Sequence, residues 1–245
     1  MSRVFYAEDH IMLMTDYKTP NMHKHLASHM IVSLGGTMKW NIEEKDVECR
    51  GICIGSNVRH TGIMPKEGTL VLLFTNVSGL GAMVQRDYLQ QRSYQVLSEQ
   101  LVERMVKVYQ KWKEQPVRLD QELLRICHLQ RIEKVEYDTR VAEAIQQLEK
   151  LPSIEPGIYD QLSNRACLSK SRFSHLFKEQ TGMTLHSYIA FLKFEKTFEY
   201  IKKGDTITMA CMAAGFDSSS HCAATSKRMF GISIREFHKS LKDSV

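Results

Sequence analysis

Four histidines in the first quarter of the chain, His23, His25, His29 and His60, have a type and spacing that suggest chemistry. His23 and His25 lie two apart, so on an extended strand both imidazoles leave the same face, and His29 shares that parity if the strand continues. Four neutral imidazoles suit zinc, copper, nickel or iron(II). The same side chains can instead hydrogen-bond an organic or anionic effector in a pocket, or hold no ligand at all. Met38 and Trp40 alternate with Lys39 and Asn41, which places them on an interior wall. Arg59, beside His60, has the geometry to pair with a carboxylate bidentately.

A second set of chemistry-bearing residues stands in the C-terminal half. From Ile158 the pattern is a short helix to Ala166, a turn at Cys167-Leu168, and a second helix that Ser169 is placed to cap. Phe173, Leu176 and Phe177 fall at i, i+3 and i+4 and must face a core. Ser171, Ser174, His175 and Lys178 then share the opposite face, with Lys170 and Arg172 at its edges. Gly182 supplies the left-handed residue that ends a helix. Laying residue i over i+49 repeats the pattern: Ser169 meets Ser218, Lys178 meets Lys227, Gly182 meets Gly231, Thr184 meets Ser233 and Tyr188 meets Phe237. The second copy starts at Thr206, turns at Gly215-Phe216, and is capped by Asp217 or Ser218. Its second helix presents Ser219, Ser220, His221, Ala224, Lys227 and Arg228. A short helix, a tight turn and a helix with one dry and one polar-basic face make the element that enters a DNA major groove. The helix from Thr184 to Lys203 joins the two copies, and recognition helices about 34 Å apart would enter successive grooves of one DNA face.

The elements that must position these groups divide the chain in three. Residues 1–81 carry short Val-, Ile-, Leu- and Thr-rich runs broken by glycines, the pattern of a small all-β barrel or sandwich. Residues 82–137 turn helical: Leu97, Leu101, Met105, Val108 and Trp112 form a seam, Pro116 breaks it, and a second helix is expected from about Asp120 to Glu136. That hairpin either packs on the β domain or lends its seam to a homodimer. Residues 138–245 read as wholly helical, with helix-turn-helix units at about 158–181 and 206–230. The fold class is therefore α+β.

Bulk properties constrain less. The 245 residues are 43% hydrophobic and 25% charged, the mixture of a folded globular protein. The net charge of +5 permits a polyanionic partner without demanding one. From Asp138 onward 15 basic residues face 12 acidic ones, so charge alone does not single out a nucleic-acid binder. No run reaches the roughly 18 apolar residues of a membrane helix, and Arg3, Glu8, Asp9 and His10 interrupt the start, so no membrane partner and a cytoplasmic location are expected. The six cysteines then read as reduced thiols. Cys49 and Cys53, spaced CxxxC, are either strand residues or a ligand or redox pair.

The stretch from Leu162 to His238, with SKSRFSHLFKEQTGMTLHSYI in the first unit and AGFDSSSHCAATSKRMFGIS in the second, resembles the AraC family of transcription regulators. The resemblance implies base-reading roles for Ser171, Arg172, Ser174 and His175, and for Ser219, Ser220, His221 and Ala224, with Lys178 and Lys227 on phosphates. Two departures stand out. The family usually carries a large aromatic where this chain has Cys222 and again where it has Ser226, and a long polar or basic side chain in place of Ala224. Met209, Met212 and Met229 are candidates to fill the space, and the first unit is expected to carry most of the specificity. The N-terminal part resembles the cupin barrel that often precedes this domain. By that resemblance His23 and His25 are the paired ligands of one transition-metal ion, His29 sits at the carboxylate position, and His60 is the last ligand. The implied function is a DNA-binding regulator whose pocket senses a small molecule or a metal, with double-stranded DNA and a second copy of the chain as partners. The rival is a metal-dependent cupin enzyme fused to a DNA-binding module, since a metal with open positions supports oxygen or hydrolytic chemistry. No Ser-His-Asp or Cys-His arrangement with credible spacing occurs to favour it, so no catalytic residue is assigned.

Overall fold

Period-two alternation along the strands sorts the N-terminal side chains onto two faces, and both faces are covered. The computed structural model describes residues 3–7, 10–15, 22–24, 27–75, 78–130, 136–230 and 234–235. These fall into two compact units that divide after residue 134.

The first unit contains strands β1 (Arg3–Tyr6), β2 (His10–Thr15), β3 (Ser28–Ser33), β4 (Met38–Ile42), β5 (Lys45–Cys49), β6 (Gly51–Ile54), β7 (His60–Ile63), β8 (Thr69–Phe74) and β9 (Tyr94–Val96). Among the described residues they do not close into a barrel. They form two antiparallel sheets, one ordered β1-β2-β8-β3-β6-β9 and one ordered β5-β4-β7. A local hairpin builds the smaller sheet. Glu43 and Glu44 both take positive φ, 48° and 68°, the two-residue turn that folds β5 straight back on β4. With β7 on its other edge, β4 has no free edge for the larger sheet.

In the larger sheet Met12, Met14, Met30, Val32, Leu70, Leu72 and Phe74 join one core with the helices α1 (Gly79–Met83), α2 (Glu99–Trp112) and α3 (Pro116–Ile126). A π-helical turn, Val84–Leu89, follows α1. Ile11, Leu13, His29, Ile31, Val71 and Leu73 alternate with that set and leave by the other face, also buried. Leu97, Val102 and Met105 are buried in the helical core, with Leu101, Val108 and Trp112 packed at its margin, so the seam serves the β domain. The second helix begins and ends earlier than its sequence pattern suggests. Pro116 is its first residue, where a missing N–H costs nothing, and it stops at Ile126 ahead of His128 at φ 56°. Cys49 and Cys53 lie on β5 and β6, in different sheets, which favours the strand reading. Burial pushes the Cys49 thiol up to about 11 and that of Cys53 higher.

Parity also accounts for a pairing that the sequence pattern does not reveal. His10 falls in register with Phe74, on the helical face, and its Nε2 meets the Asp120 carboxylate of α3 at 2.6 Å. Both residues are buried, and the His10 ring stacks on Phe74.

The second unit is helical: α4 (Thr139–Lys150), α5 (Ile158–Arg165), α6 (Lys170–Thr181), α7 (Leu185–Lys202), α8 (Ile207–Ala213) and α9 (Ser219–Phe230). Its axis is α7, whose Leu185, Tyr188, Ile189, Phe191, Leu192, Phe194, Phe198 and Ile201 are buried around most of its circumference. Lys196 is buried too and satisfies its ammonium on the Glu149 carbonyl of α4, while the Tyr188 hydroxyl donates to the Glu149 carboxylate.

Asp120→Ala leaves the buried His10 Nε2 without its partner. The expected cost is about 1–3 kcal/mol of stability, read as a lower denaturation midpoint, with Asp120→Asn recovering part of it. A midpoint unchanged in Asp120→Ala would show that the pair does not hold α3 to the sheet.

Candidate nucleic-acid interface

Each recognition helix begins at a side-chain cap. The Ser169 hydroxyl accepts from the Arg172 N–H at 3.2 Å, and the Ser218 hydroxyl accepts from the His221 N–H at 3.1 Å. Of the two candidate caps in the second unit, Ser218 is thus the one used. Thr184 caps α7 in the same way, accepting from the Ser187 N–H at 3.1 Å.

On α6, Phe173 and Phe177 are buried and Leu176 is half-buried, while Lys170, Ser171, Arg172, His175 and Lys178 are exposed and Ser174 is half-buried. On α9, Ser220, His221, Ala224, Lys227 and Arg228 are exposed and Ser219 is half-buried. Each helix therefore brings its own set together on one solvent-facing side. Lys170 is not a free cation, because its ammonium pairs with Asp160 of α5 at 2.6 Å. His221 is held as well: its Nδ1 lies 3.1 Å from the Asp217 carboxylate, and its ring meets Phe216 edge-on. Gly182 takes φ 69° and ends α6. Gly231, Ser233 and Phe237 of the repeat lie outside the described residues.

The two units are not exact copies. In the first, the Leu168 N–H returns to the Ser163 carbonyl, and in the second the Phe216 N–H returns to the Cys211 carbonyl. The left-handed turn residues, Cys167 at φ 53° and Gly215 at φ 92°, keep that same spacing of 48 positions. The caps Ser169 and Ser218 are 49 apart, so the second turn holds one more residue, Asp217. Glycine is required at 215: besides its positive φ, a Cβ there would collide with the Ile154 carbonyl. Lys193 of α7 anchors this turn, donating to the Gly215 carbonyl and lying over the Phe216 ring. Burial lowers its pKa from the usual lysine value. Neither Lys193 nor Asp217 could be assigned from periodicity, because both act through the turn and not through a helix face.

Cys222 and Ser226 are fully buried at the positions that Phe173 and Phe177 occupy in the first unit. Met229 joins the core there, but Met209 and Met212 do not: they are 59% and 51% exposed. On α8, Ala210, Cys211 and Ala214 take the inner side, and at about 100° per residue Met209 and Met212 fall outside it.

The N-terminal histidines meet only in part. His29 of β3 and His60 of β7 face one another across the two sheets, with ring centroids 4.9 Å apart. His23 is not on their strands; it reaches the cluster through a backbone bridge to His60, its ring 4.5 Å away. His25 lies outside the described residues. Met38 and Trp40 do line the interior, and Trp40 packs 6.0 Å from His60 opposite Gly62, where a Cβ would meet the indole at 2.6 Å. The Trp40 N–H is buried with no hydrogen-bond partner among the described residues. Arg59 is exposed, next to the buried His60. Among the described residues no group of three His, Cys, Asp or Glu is arranged to hold a metal ion, so the described donors do not by themselves fit one.

Burial holds His29 well below the usual histidine range, with His60 and His23 adding to it against the Ala27 carbonyl bond. Burial likewise holds His60 at about 4, opposed by its 2.8 Å bond to the Val58 carbonyl and reinforced by His23. Both rings are neutral in the folded protein at neutral pH.

Comparison with known proteins places residues 162–240 in a helix-turn-helix domain family. The transcriptional regulator MtrA of Neisseria gonorrhoeae is 26% identical over 103 residues, which cover 42% of this chain and 34% of MtrA; the match thus spans about a third of that curated relative. Among solved structures, apo ToxT of Vibrio cholerae matches with a TM-score of 0.61 at 12% identity, over 96% of this chain and 98% of that one. ToxT with an unsaturated fatty acid bound matches with a TM-score of 0.54 at 10% identity, over 98% of each chain. At this identity the likeness is one of fold, and it extends over both units. No helix among the described residues is long and apolar enough to cross a membrane.

Once unfolded, His29 and His60 regain a pKa near 6.5. The unfolded chain then binds more protons, so their contribution to stability is lost as the pH falls from about 6.5 to about 4. Denaturation of His60→Gln across that range should show a shallower loss than the parent protein. Identical slopes would show that His60 titrates as a free histidine.

Proposed function

We propose that this chain, an AraC-family protein through the helix-turn-helix domain at residues 162–240, is a sequence-specific transcription regulator that senses a small molecule with its N-terminal unit. One observation carries the DNA-binding part: two capped helices, α6 and α9, each turn a polar and basic face to solvent from a scaffold built on the buried α7. An 18-residue α7 is about 27 Å long, close to the roughly 34 Å repeat that separates successive major grooves.

Base contacts fall to Ser171, Arg172, Ser174 and His175 in the first unit and to Ser219, Ser220, His221 and Ala224 in the second. Lys178 and Lys227 neutralise phosphates, and Lys170 joins them only by releasing Asp160. Ala224 contributes no more than contact with a thymine methyl. With two small residues under α9 in place of two phenylalanines, the first unit supplies the larger share of discrimination.

Support for sensing comes from the inter-sheet cluster. Trp40 brings a buried donor that nothing in the described protein satisfies, a state that costs about 1–3 kcal/mol, beside two imidazoles kept neutral by burial. A polar organic molecule accepting from Trp40 would relieve that cost. ToxT, which shares the fold, has been crystallised with an unsaturated fatty acid. An effector of this kind regulates only if it binds the two DNA-affinity states differently. A homodimer belongs to the same reading, and the half-covered Leu101, Val108 and Trp112 are its nearest apolar surface.

Two experiments test this. From a selected operator, Ser174→Ala/His175→Ala should erase base preference, and Ser220→Ala/His221→Ala should weaken it by about tenfold, the scale of one base contact. The reverse ranking would reassign specificity to the second unit, and binding without base preference in the parent protein would overturn the reading. For the effector, untagged protein and a His25→Ala/His60→Ala variant are compared by elemental mass spectrometry and thermal-shift screening. Small molecules that raise the parent's midpoint but not that of Trp40→Phe support an organic effector. One equivalent of a transition metal, lost in the histidine variant, would replace it with a metal sensor.

A further inference from the structure

Two side-chain contacts tie the helices of the first unit together, and the second unit has replaced both. In the first unit the Lys170 ammonium of α6 pairs with Asp160 of α5 at 2.6 Å, and the Tyr159 hydroxyl of α5 lies 3.1 Å from His186 Nδ1 of α7. The matching residues of the second unit follow from its own core. Ahead of the turn the spacing is 48, which sets buried Leu162, Ser163 and Ala166 over buried Ala210, Cys211 and Ala214. After the turn it is 49, which sets Leu185 over Ile234, both buried. Asp160 and Lys170 thus correspond to Thr208 and Ser219, and Tyr159 and His186 correspond to Ile207 and Arg235. Neither contact can form again. Two hydroxyls make no ion pair, and isoleucine offers a guanidinium nothing to bond.

A cavity of about 590 Å³ stands where those contacts would be. All four replacements line it, together with Thr206 and Ser220. Arg235 is the one charged side chain among the described residues of its wall, and it enters no ion pair among the described residues. Thr208, Ser220 and Arg235 are exposed, so water reaches the site. A guanidinium fork spans two oxygens of an anion, and the hydroxyls of serine and threonine donate to the others. Donors in that number exceed the two oxygens of a carboxylate and suit a phosphate. The volume lies within the roughly 300–1,000 Å³ of small-molecule pockets, which leaves room for the group that carries the phosphate.

We propose that this cavity is an oxyanion site of the second unit, taking a phosphate group on Arg235, Thr208 and Ser219. The phosphate has two possible sources, a free phosphate monoester and the backbone of bound DNA. A free ester occupies the side of α9 that carries Ser219 and Ser220 and so competes with DNA there. The DNA source rests on the regulator reading above, whereas the free ester does not.

The test uses the full chain and two variants at exposed positions, Arg235→Gln and Thr208→Asp, the second placing a carboxylate in the cavity. Phosphorus-31 resonances of inorganic phosphate and of phenyl phosphate are recorded with each protein at constant ionic strength. Operator affinity is measured in parallel against salt concentration. Line broadening by the parent that is lost in both variants identifies the free ester as occupant. A slope of log affinity against log salt that falls by about 0.9 in Arg235→Gln, the share of one phosphate, with no broadening, identifies the DNA backbone. No broadening and an unchanged slope would overturn the proposal, as would broadening that persists in both variants. A parent that binds no DNA counts against the regulator reading, and the phosphorus spectra alone then decide the site.

Discussion

The C-terminal unit depends on a helix that has almost no surface of its own. α7 is covered by neighbours around most of its circumference, so α4, α6, α8 and α9 take their places from what packs against its large side chains. Close packing resists displacement because interiors are as dense as organic crystals. The polar groups on this axis are satisfied within the unit: Lys196 and Tyr188 bond to Glu149, and Lys193 bonds to the second turn. A helix seldom buries lysines. Here the two ammonium groups reach backbone carbonyls, so that the axis grips α4 on one side and the turn before α9 on the other. Groove-reading side chains need such a platform, since a group held slightly out of place misses its base edge and supplies no discrimination.

The N-terminal unit obeys a different constraint, the strict alternation of a strand. Because the larger sheet is covered on both faces, β3 and β8 are buried throughout, and their apolar stretches, residues 30–32 and 70–74, do not alternate with exposed polar residues. Parity still separates two histidines that look alike in composition. His10 leaves by the face that meets α3 and finds a carboxylate. His29 leaves by the other and faces the His60 imidazole of the second sheet. The first is tied to a carboxylate of a packing helix, while the second joins a cluster of imidazoles between the sheets.

Much of the C-terminal unit was legible from the residues because its features are local. Caps at Ser169 and Thr184, a glycine stop at Gly182 and the buried spacing of Phe173 and Phe177 all follow from neighbours within one or two turns. What stayed hidden depends on partners distant in sequence. Lys193 acts on a carbonyl 22 positions away, and His10 on a carboxylate 110 positions away. Met209 and Met212 could be counted as fillers only while the inner face of the short α8 was unknown. The parity of His23, His25 and His29 assumed a continuous strand, but β3 starts at Ser28, and His23 joins the cluster by pairing with β7. The smaller sheet likewise includes one tight hairpin at Glu43-Glu44, where propensity gives little warning because glutamate seldom takes positive φ.

The extra residue at Asp217 sets a rule of exchange between the two halves. With one residue added between turn and cap, the two recognition helices are not interchangeable by themselves. In the second half the added carboxylate also holds His221 on the exposed face of α9, so the insertion is more than a spacer. A helix moved from the first half to the second therefore loses this contact unless the turn of the second half goes with it. The exchangeable piece is the turn together with its helix, and not the helix alone.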